Sequence, residues 1–182
     1  MPRRWKIFFL LILMLLHHSL CEGQQKGTGR YSAGGLFSLN QCGIAFTFDD
    51  REDLFSEIVL AADLTGVVPG QVRRPGIRAE YYRNYILREL QVPEMQMVLY
   101  AGMGGVTGYV MDYNSPMGLL AGISGTIGVR MRFQLPVEIR FGFSGSLAAH
   151  AVFTGKVNQT LILYRNGLIN LVYPRININY RF

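Results

Sequence analysis

The chain ends in the stretch Val172-Tyr-Pro-Arg-Ile-Asn-Ile-Asn-Tyr-Arg-Phe182, which decides the fold. Counted back from Phe182, every second residue is apolar or aromatic, and the residues between them are polar or charged. Side chains alternate between the two faces of a β-strand, so this stretch predicts a strand with one apolar face and one wet face. The apolar face carries Tyr180, Ile178, Ile176, Pro174 and Val172, and the wet face carries Arg181, Asn179, Asn177 and Arg175.

The opposite end of the chain has the composition of a secretory signal peptide. Basic residues at Arg3, Arg4 and Lys6 precede an unbroken apolar run from Ile7 to Leu16. A run of this length is too short to span a bilayer as a helix, which needs about 20 residues. It matches the apolar region of a signal peptide, and small residues suited to cleavage follow it at Ser19, Cys21 and Gly23.

We therefore expect residues 1–23 to be a signal peptide, residues 24–30 a short N-terminal extension, and residues 31–182 one folded domain. An uncleaved N-terminal anchor is one alternative. Lipidation of Cys21 is another, although the residues before it do not match a lipobox. Removal of residues 1–23 lowers the formal net charge from +6 to +4, because that segment carries Arg3, Arg4, Lys6 and Glu22.

The composition narrows the classes of function. The positive charge is mild, and no basic cluster is denser than Arg73-Arg74, so binding to nucleic acid is not predicted. Cys42 is the only cysteine after residue 23, so no metal site built from thiolates is expected, and no cofactor is implied. The sequence is 49% hydrophobic without any apolar run of 18 residues. A membrane-spanning protein of this kind has to be a closed β-barrel, since backbone exposed to lipid must satisfy its own hydrogen bonds.

Segments of about ten residues with alternating polarity recur along the chain and predict an all-β fold, a transmembrane antiparallel β-barrel of eight strands. The clearest pair, Ile127–Gln134 and Val137–Ser144, flanks the tight turn Leu135-Pro136. The first of these is the end of the predicted strand Met117–Gln134. The other six predicted strands are Tyr31–Leu39, Gly43–Phe48, Leu54–Leu64, Ile77–Leu87, Met95–Met111 and the C-terminal strand from Val172.

The connections predict the orientation of this barrel. Short turns are expected at one end, at Asp49–Asp53, Glu89–Glu94 and Leu135–Pro136, and longer loops at the other, at Val67–Gly76, Asp112–Pro116 and Phe153–Gly167. Short periplasmic turns and longer outer loops are usual in such barrels. A second register stays open: Arg165-Asn166-Gly167-Leu168 matches a type I′ hairpin, which makes Gln159–Arg165 a strand and fuses the first two strands into one.

With this pattern, the chain resembles the small OmpA-like outer-membrane β-barrel proteins of Bacteroidetes. The segments that carry the resemblance are Val98–Tyr109, Gly118–Val129, Phe133–Ile139 and Tyr180–Phe182, and the likeness spans Tyr31 to Phe182. It implies a location in the outer membrane of a Gram-negative bacterium, but little about activity. Many members have Trp or Lys followed by Pro at the end of the penultimate strand. Here Ser144-Gly-Ser-Leu-Ala-Ala lacks that feature, which leaves the subgroup open.

The C-terminal strand also resembles the signature strand that the barrel-insertion machinery reads in that membrane. The residues expected to act as this insertion signal are Ile176, Ile178, Tyr180 and Phe182. Outer-membrane lipid and, during biogenesis, the insertion machinery are therefore the expected partners, together with an unidentified envelope protein if the loops bind one.

Charged residues on the wet faces predict a network inside the barrel. Eight strands enclose a space only wide enough to be filled by side chains. Opposite charges in that space are expected to pair, because an unpaired buried charge is costly. The predicted network consists of Glu57, Asp63, Glu80, Arg130, Arg132, Glu138, Arg140, Arg175 and Arg181.

Three functions remain to be distinguished. The first is a non-enzymatic integral outer-membrane protein with an envelope-structural or loop-mediated interaction role, for which no catalytic residue is assigned. The second is a narrow passive channel for ions or small solutes. The third is a lipid-modifying enzyme, which needs a serine and a histidine within hydrogen-bond reach. Only Ser124 and His150, on neighbouring strands, leave that third hypothesis open.

Overall fold

The computed structural model describes residues 30–67, 70–113, 115–153, 159–164 and 172–182. Every regular element in these ranges is a β-strand. None of these residues belongs to a helix long and apolar enough to cross a membrane. The strands are β1 (Tyr31–Ser38), β2 (Gln41–Arg51), β3 (Leu54–Asp63), β4 (Gly76–Val92), β5 (Met95–Asp112), β6 (Ser115–Phe133), β7 (Val137–Phe153), β8 (Gln159–Leu163) and β9 (Val172–Arg181).

The strands close into a ring with eight positions. Strands β1 to β7 each pair antiparallel with the next one along the chain. Strand β9 closes the ring, because it pairs with β1 on one side and with the first half of β7 on the other. The short strand β8 pairs with the second half of β7, so it occupies the same position in the ring as β9. The predicted all-β fold, an antiparallel sheet closed by eight strands, is therefore confirmed.

The two ends of the ring differ in their connections. At the end that we call the turn end, residues 52–53, 93–94 and 134–136 join successive strands, and β1 begins and β9 ends there. The opposite end, the loop end, carries residues 64–75 between β3 and β4. In that loop Gly66 and Gly70 have φ values of 78° and 74°, a conformation that suits glycine.

Several predicted connections are shorter than expected, and their predicted bounds are wrong. Strand β2 continues to Arg51, through most of the predicted turn Asp49–Asp53, because Asp49 meets an arginine inside the ring. Strand β4 likewise continues to Val92, through most of Glu89–Glu94. At the loop end, β5 ends at Asp112 and β6 begins at Ser115, so strand residues occupy most of the predicted loop Asp112–Pro116.

The final connection also differs from the prediction. Strand β8 lies inside the predicted loop Phe153–Gly167, so the second register was right to expect a strand from Gln159. That register was wrong to fuse the first two strands, because β1 and β2 form a hairpin in which Tyr31 faces Phe48 and Phe37 faces Cys42. The predicted hairpin at Arg165–Leu168 lies outside the described residues, as do residues 1–29 with the predicted signal peptide.

Burial alternates along the strands as the polarity pattern predicts. On β9, Val172, Pro174, Ile176 and Ile178 are exposed on the outside, and the residues between them are buried inside the ring. Large side chains fill the interior, and glycines make room for them. The Tyr100 hydroxyl, for example, lies 2.8 Å from the place where Gly128 would carry a Cβ atom. The interior is thus a core packed with the inward-facing side chains of the strands.

Candidate functional site

Glu57 lies at the centre of the ionic groups in the turn-end half of the interior. Its side chain is fully buried on β3. Arg175 Nη2 lies 2.5 Å from Glu57 Oε2, and Arg140 Nη1 lies 3.0 Å from Glu57 Oε1. The Asn177 side-chain amide donates a further hydrogen bond to Oε1, at 2.7 Å. One carboxylate from β3 therefore holds side chains from β7 and β9 on the far side of the ring.

A second buried carboxylate, Glu138 at the start of β7, repeats this arrangement. Arg130 Nε donates to its Oε2 at 2.6 Å, and Arg140 Nε lies 3.2 Å from Oε1. Arg130 also donates to Asp49 at 2.7 Å, and Arg132 contacts the same aspartate. We call these connected residues the turn-end cluster: Asp49, Glu57, Arg130, Arg132, Glu138, Arg140 and Arg175.

Aromatic rings fill the space between these charges. The Arg130 guanidinium carbon lies 4.6 Å from the centre of the Phe55 ring, and that of Arg175 lies 4.8 Å from the Tyr82 ring. Phe55 in turn meets Tyr100 edge to face, with ring centres 5.1 Å apart. The rings attract the cations through their π faces, which offsets part of the cost of keeping these charges away from water.

The loop-end half holds one buried arginine among acids and phenols. Arg78 Nη2 lies 2.7 Å from Glu80, and its Nη1 lies 3.7 Å from Asp63. Tyr82 donates to Glu80 at 2.8 Å, and Tyr164 donates to Asp63 at 3.1 Å. We call Asp63, Arg78, Glu80, Tyr164 and Tyr173 the loop-end cluster, since the Tyr173 hydroxyl also donates to Glu80, at 3.3 Å.

An apolar group packs beside the loop-end cluster. It contains Val106, Val110, Leu120, Ala148 and Tyr164, all buried. His150, on the neighbouring part of β7, is completely buried, and its Nε2 atom lies 3.1 Å from the Val110 carbonyl oxygen. This half of the interior therefore combines a few polar contacts with ordinary hydrophobic packing.

The predicted network residues lie largely where the polarity pattern places them. Eight of the nine form ion pairs inside the ring: Glu57, Asp63, Glu80, Arg130, Arg132, Glu138, Arg140 and Arg175. Arg181 lies at the turn end, where its Nη2 donates to the carbonyl oxygens of Phe133 and Leu135.

Sequence reasoning missed two members of the network, Asp49 and Arg78. A signal for each was present. Asp49 is two residues beyond the inward-facing Thr47, and Arg78 is two residues before Glu80, so both have the parity of the wet face. Asp49 was assigned to a turn because it begins a run of charged residues, and Arg78 was overlooked because it follows the predicted loop.

The buried and half-buried charges that face inward are unevenly distributed among the described residues. Of these charges, the turn-end half contains five arginines and three carboxylates, and the loop-end half contains one arginine and three carboxylates. The turn-end groups are Arg130, Arg132, Arg140, Arg175, Arg181, Asp49, Glu57 and Glu138, and the loop-end groups are Arg78, Asp63, Glu80 and Asp112. These formal charges sum to +2 at the turn end and −2 at the loop end.

The serine and histidine of the enzyme hypothesis do not face each other. Ser124 lies opposite Ser146, and His150 lies opposite Leu120. Ser124 and His150 are thus four residues apart along the paired strands, or about 13 Å at roughly 3.3 Å per residue. The described residues contain no group of three or more His, Cys, Asp or Glu side chains that could hold a metal ion.

The residues of the predicted insertion signal lie at the closing strand. Ile176 and Ile178 are exposed on the outer face of β9, and Tyr180 is half-buried opposite Val137 at the turn end. Phe182, after the end of β9, is 65% exposed.

Comparison of the chain with protein-family models, with curated proteins and with solved structures found no match.

Proposed function

We propose that this protein is an integral outer-membrane β-barrel with a non-enzymatic role, either in the structure of the envelope or in binding a partner through its loops. The observation that carries the proposal is the inverted polarity of the ring. Buried arginine–carboxylate pairs fill the inside, whereas side chains such as Met103, Ile123 and Phe143 are more than half exposed on the outside. A folded protein that remained in water would keep so continuous an apolar surface covered.

The outer surface has the dimensions of a membrane-facing band. Exposed tyrosines lie near both ends: Tyr85 pairs with the first residue of β3 at the turn end, and Tyr109 pairs with Ile77 near the loop end. Tyr85 and Ile77 are eight residues apart on β4, or about 26 Å at roughly 3.3 Å per residue. With a strand tilt of about 40°, that length corresponds to a height of roughly 20 Å, close to the apolar band of barrels flanked by aromatic girdles.

The filled interior favours a structural role over conduction. Guanidinium groups of Arg130, Arg140 and Arg175 reach carboxylates on other strands and cross the lumen. We expect no steady openings from the unmodified protein in a planar bilayer, and small openings when Arg132 or Arg140 is replaced by alanine. Stable, ion-selective openings of the unmodified barrel would instead favour the channel hypothesis.

We place the protein among the small OmpA-like barrels of Bacteroidetes, on the segments quoted for that resemblance. The outer faces of Ile176 and Ile178 support the reading of β9 as the strand that the insertion machinery recognises. Deletion of Phe182 is expected to leave the protein aggregated in the periplasm or degraded. The test is the amount of heat-modifiable protein in the outer-membrane fraction, compared with a Leu39→Ala control at the loop end. A normal amount after the deletion would contradict this assignment.

A further inference from the structure

The turn end carries two adjoining clefts that the proposed function does not use. They lie where the hairpin tip between β4 and β5 approaches the turn between β6 and β7, and Gln134 Nε2 bridges the two by donating to the Pro93 carbonyl oxygen at 3.2 Å. One cleft measures about 310 Å³ and the other about 640 Å³. Both are lined by Val92, Pro93, Glu94, Met95, Phe133 and Gln134, so they meet at the bridge.

The smaller cleft is the polar one, because four polar residues line it besides those that the two clefts share. Arg132 and Arg181 line it together with Gln91 and Gln96, and the Gln96 amide donates to Glu89 at 3.3 Å. An arginine has five N–H donors. Arg132 uses Nη2 on Asp49 and its Nε lies 3.6 Å from Glu138 Oε2, while Arg181 uses Nη2 on two backbone carbonyl oxygens. Since a guanidinium group has more donors than these contacts use, both side chains can bind a further acceptor.

The charge at this end favours an anion. Asp49 is shared by Arg130 and Arg132, and Glu138 by those two arginines and Arg140. The buried and half-buried groups that face inward at the turn end carry two more positive than negative charges, and Glu89, exposed on the same face of β4, offsets one of them. Glu94 lies at the rim of both clefts and is the one acid among their lining residues. A planar guanidinium matches carboxylate and phosphate oxygens, so the polar cleft has the chemistry of an anion site.

The larger cleft is apolar and faces outward. Val92, Met95 and Phe133 share the outer face of their strands, because Met95 pairs with both of the other two. Leu135, 68% exposed, completes this wall. The wall continues the apolar outer surface of the barrel. A ligand that occupies both clefts must therefore join an anionic group to apolar chains.

We infer that the turn end binds the phosphodiester headgroup of an anionic phospholipid, with the phosphate beside Arg132 and Arg181 and the acyl chains along Met95, Phe133 and Leu135. The inference rests on the proposed function in one respect, because it takes the outer surface to face lipid.

Native mass spectrometry of the barrel folded in detergent micelles tests this inference. The micelles contain phosphatidylglycerol or phosphatidylcholine with the same acyl chains. We expect one phosphatidylglycerol molecule to be retained per barrel and phosphatidylcholine to be retained poorly. Arg181→Gln should weaken the retention of phosphatidylglycerol about tenfold, the effect of losing one charge-assisted contact.

Arg88→Gln is the matched control, because Arg88 is exposed on the same hairpin but lines neither cleft. A second variant, Glu94→Gln, keeps the test valid if Arg181→Gln does not fold. It removes the acid at the rim and should strengthen retention. Equal retention of the two lipids, equal weakening by Arg88→Gln and Arg181→Gln, or no effect of Glu94→Gln would each overturn the inference.

Inorganic phosphate distinguishes a lipid headgroup from a free anion. Millimolar inorganic phosphate should leave phosphatidylglycerol bound, because inorganic phosphate lacks the acyl chains that occupy the apolar cleft. Complete displacement of phosphatidylglycerol by phosphate would overturn the lipid assignment. The lipid-binding inference and the proposed function can fail independently of each other. A barrel that inserts into vesicles but retains the two lipids equally contradicts this inference alone, whereas a chain that retains phosphatidylglycerol but never inserts contradicts the proposed function alone.

Discussion

The turn-end half of the barrel interior consists of closely spaced ions, whereas the loop-end half combines one buried arginine with phenols and an apolar group. In the turn-end half, Glu57 and Glu138 each contact two or more arginines at 2.5 to 3.6 Å. In the loop-end half, Arg78 lies between Glu80 and Asp63, and Tyr164 joins the polar contacts to the apolar residues.

The wall of the barrel differs between these halves in the same way. Beside the turn-end cluster, β9 is hydrogen-bonded to β1 and β7 along an unbroken register, which holds Arg175 and Asn177 in place. Beside the loop-end cluster the closing position is β8, which within the described residues pairs with β7 alone. Ion pairs compensate for burial only with good geometry, whereas hydrophobic contacts are non-directional. The ionic packing therefore lies where the closing strand is hydrogen-bonded to a neighbouring strand on both of its edges.

The largest effect is expected from removing the central carboxylate of the turn-end cluster. Glu57→Leu leaves Arg140 and Arg175 buried without their shared partner and should lower the free energy of unfolding by about 3–5 kcal/mol. The measurement is urea-induced unfolding of the protein folded in lipid vesicles. Asp63→Asn is the corresponding variant in the loop-end cluster. It should lower the free energy of unfolding by less, since Glu80 still neutralises Arg78. Equal losses in the two variants would remove the distinction between the halves.

The next effect concerns the outer wall around the turn-end cluster. Phe141 is 45% exposed on the outer face of β7 and adjoins the inward-facing Arg140. Phe141→Arg should lower stability by about 2–4 kcal/mol if the residue faces lipid near the midplane. Arg140→Gln should disturb the pairing of Glu57 and Glu138 without blocking insertion. Both variants are followed by folding titration in vesicles. Equal tolerance of the two substitutions would mean that the faces of β7 are assigned the wrong way round.

Ile139→Arg should behave like Phe141→Arg, because both side chains lie on the outward face of β7, opposite Ile178 and Ile176 of β9. We expect the free energy of unfolding to fall by about 2–4 kcal/mol. The loss should be smaller than for Phe141→Arg if Ile139 lies nearer the membrane–water interface than Phe141. Vesicles of two acyl-chain lengths would measure this dependence on depth. A loss independent of both position and bilayer thickness would contradict a lipid-facing wall.

The smallest effect is expected in the loop-end half. Tyr164→Phe removes the hydrogen bond to Asp63. It should lower the free energy of unfolding by about 1.5 kcal/mol, a typical value for a hydrogen bond to a charged group. Hydrogen exchange should become faster in β8, which adjoins Tyr164, and stay unchanged in β9. Tyr173→Phe on β9 is the matched control, because it also removes a phenol bonded to a carboxylate. Faster exchange in β9 after Tyr164→Phe would show that the two halves unfold as one unit.

Local sequence patterns were sufficient to predict which side chains of a strand point outward, but not where the strands end. The alternation at Ile176, Asn177 and Ile178 correctly predicted which side chains point outward, because the period of a strand depends only on neighbouring residues. The charged run from Asp49 was misread as a turn, since a charge is acceptable in a strand when a partner from a distant strand reaches it. For Asp49 that partner is Arg130, which is 81 residues away in the chain.

The amino-acid sequence alone was enough to predict the all-β class, the alternation of apolar and charged faces, and most members of the internal network. The pairing of these members depends on the tertiary structure, in which Arg175 meets Glu57 and Arg181 binds the turn between β6 and β7. The sharing of the last position of the ring by β8 and β9 depends on it as well. The physical reason is the range of the interactions. Alternation is a property of a few consecutive residues, whereas a pair across the lumen depends on the registers of all the strands that lie between its members.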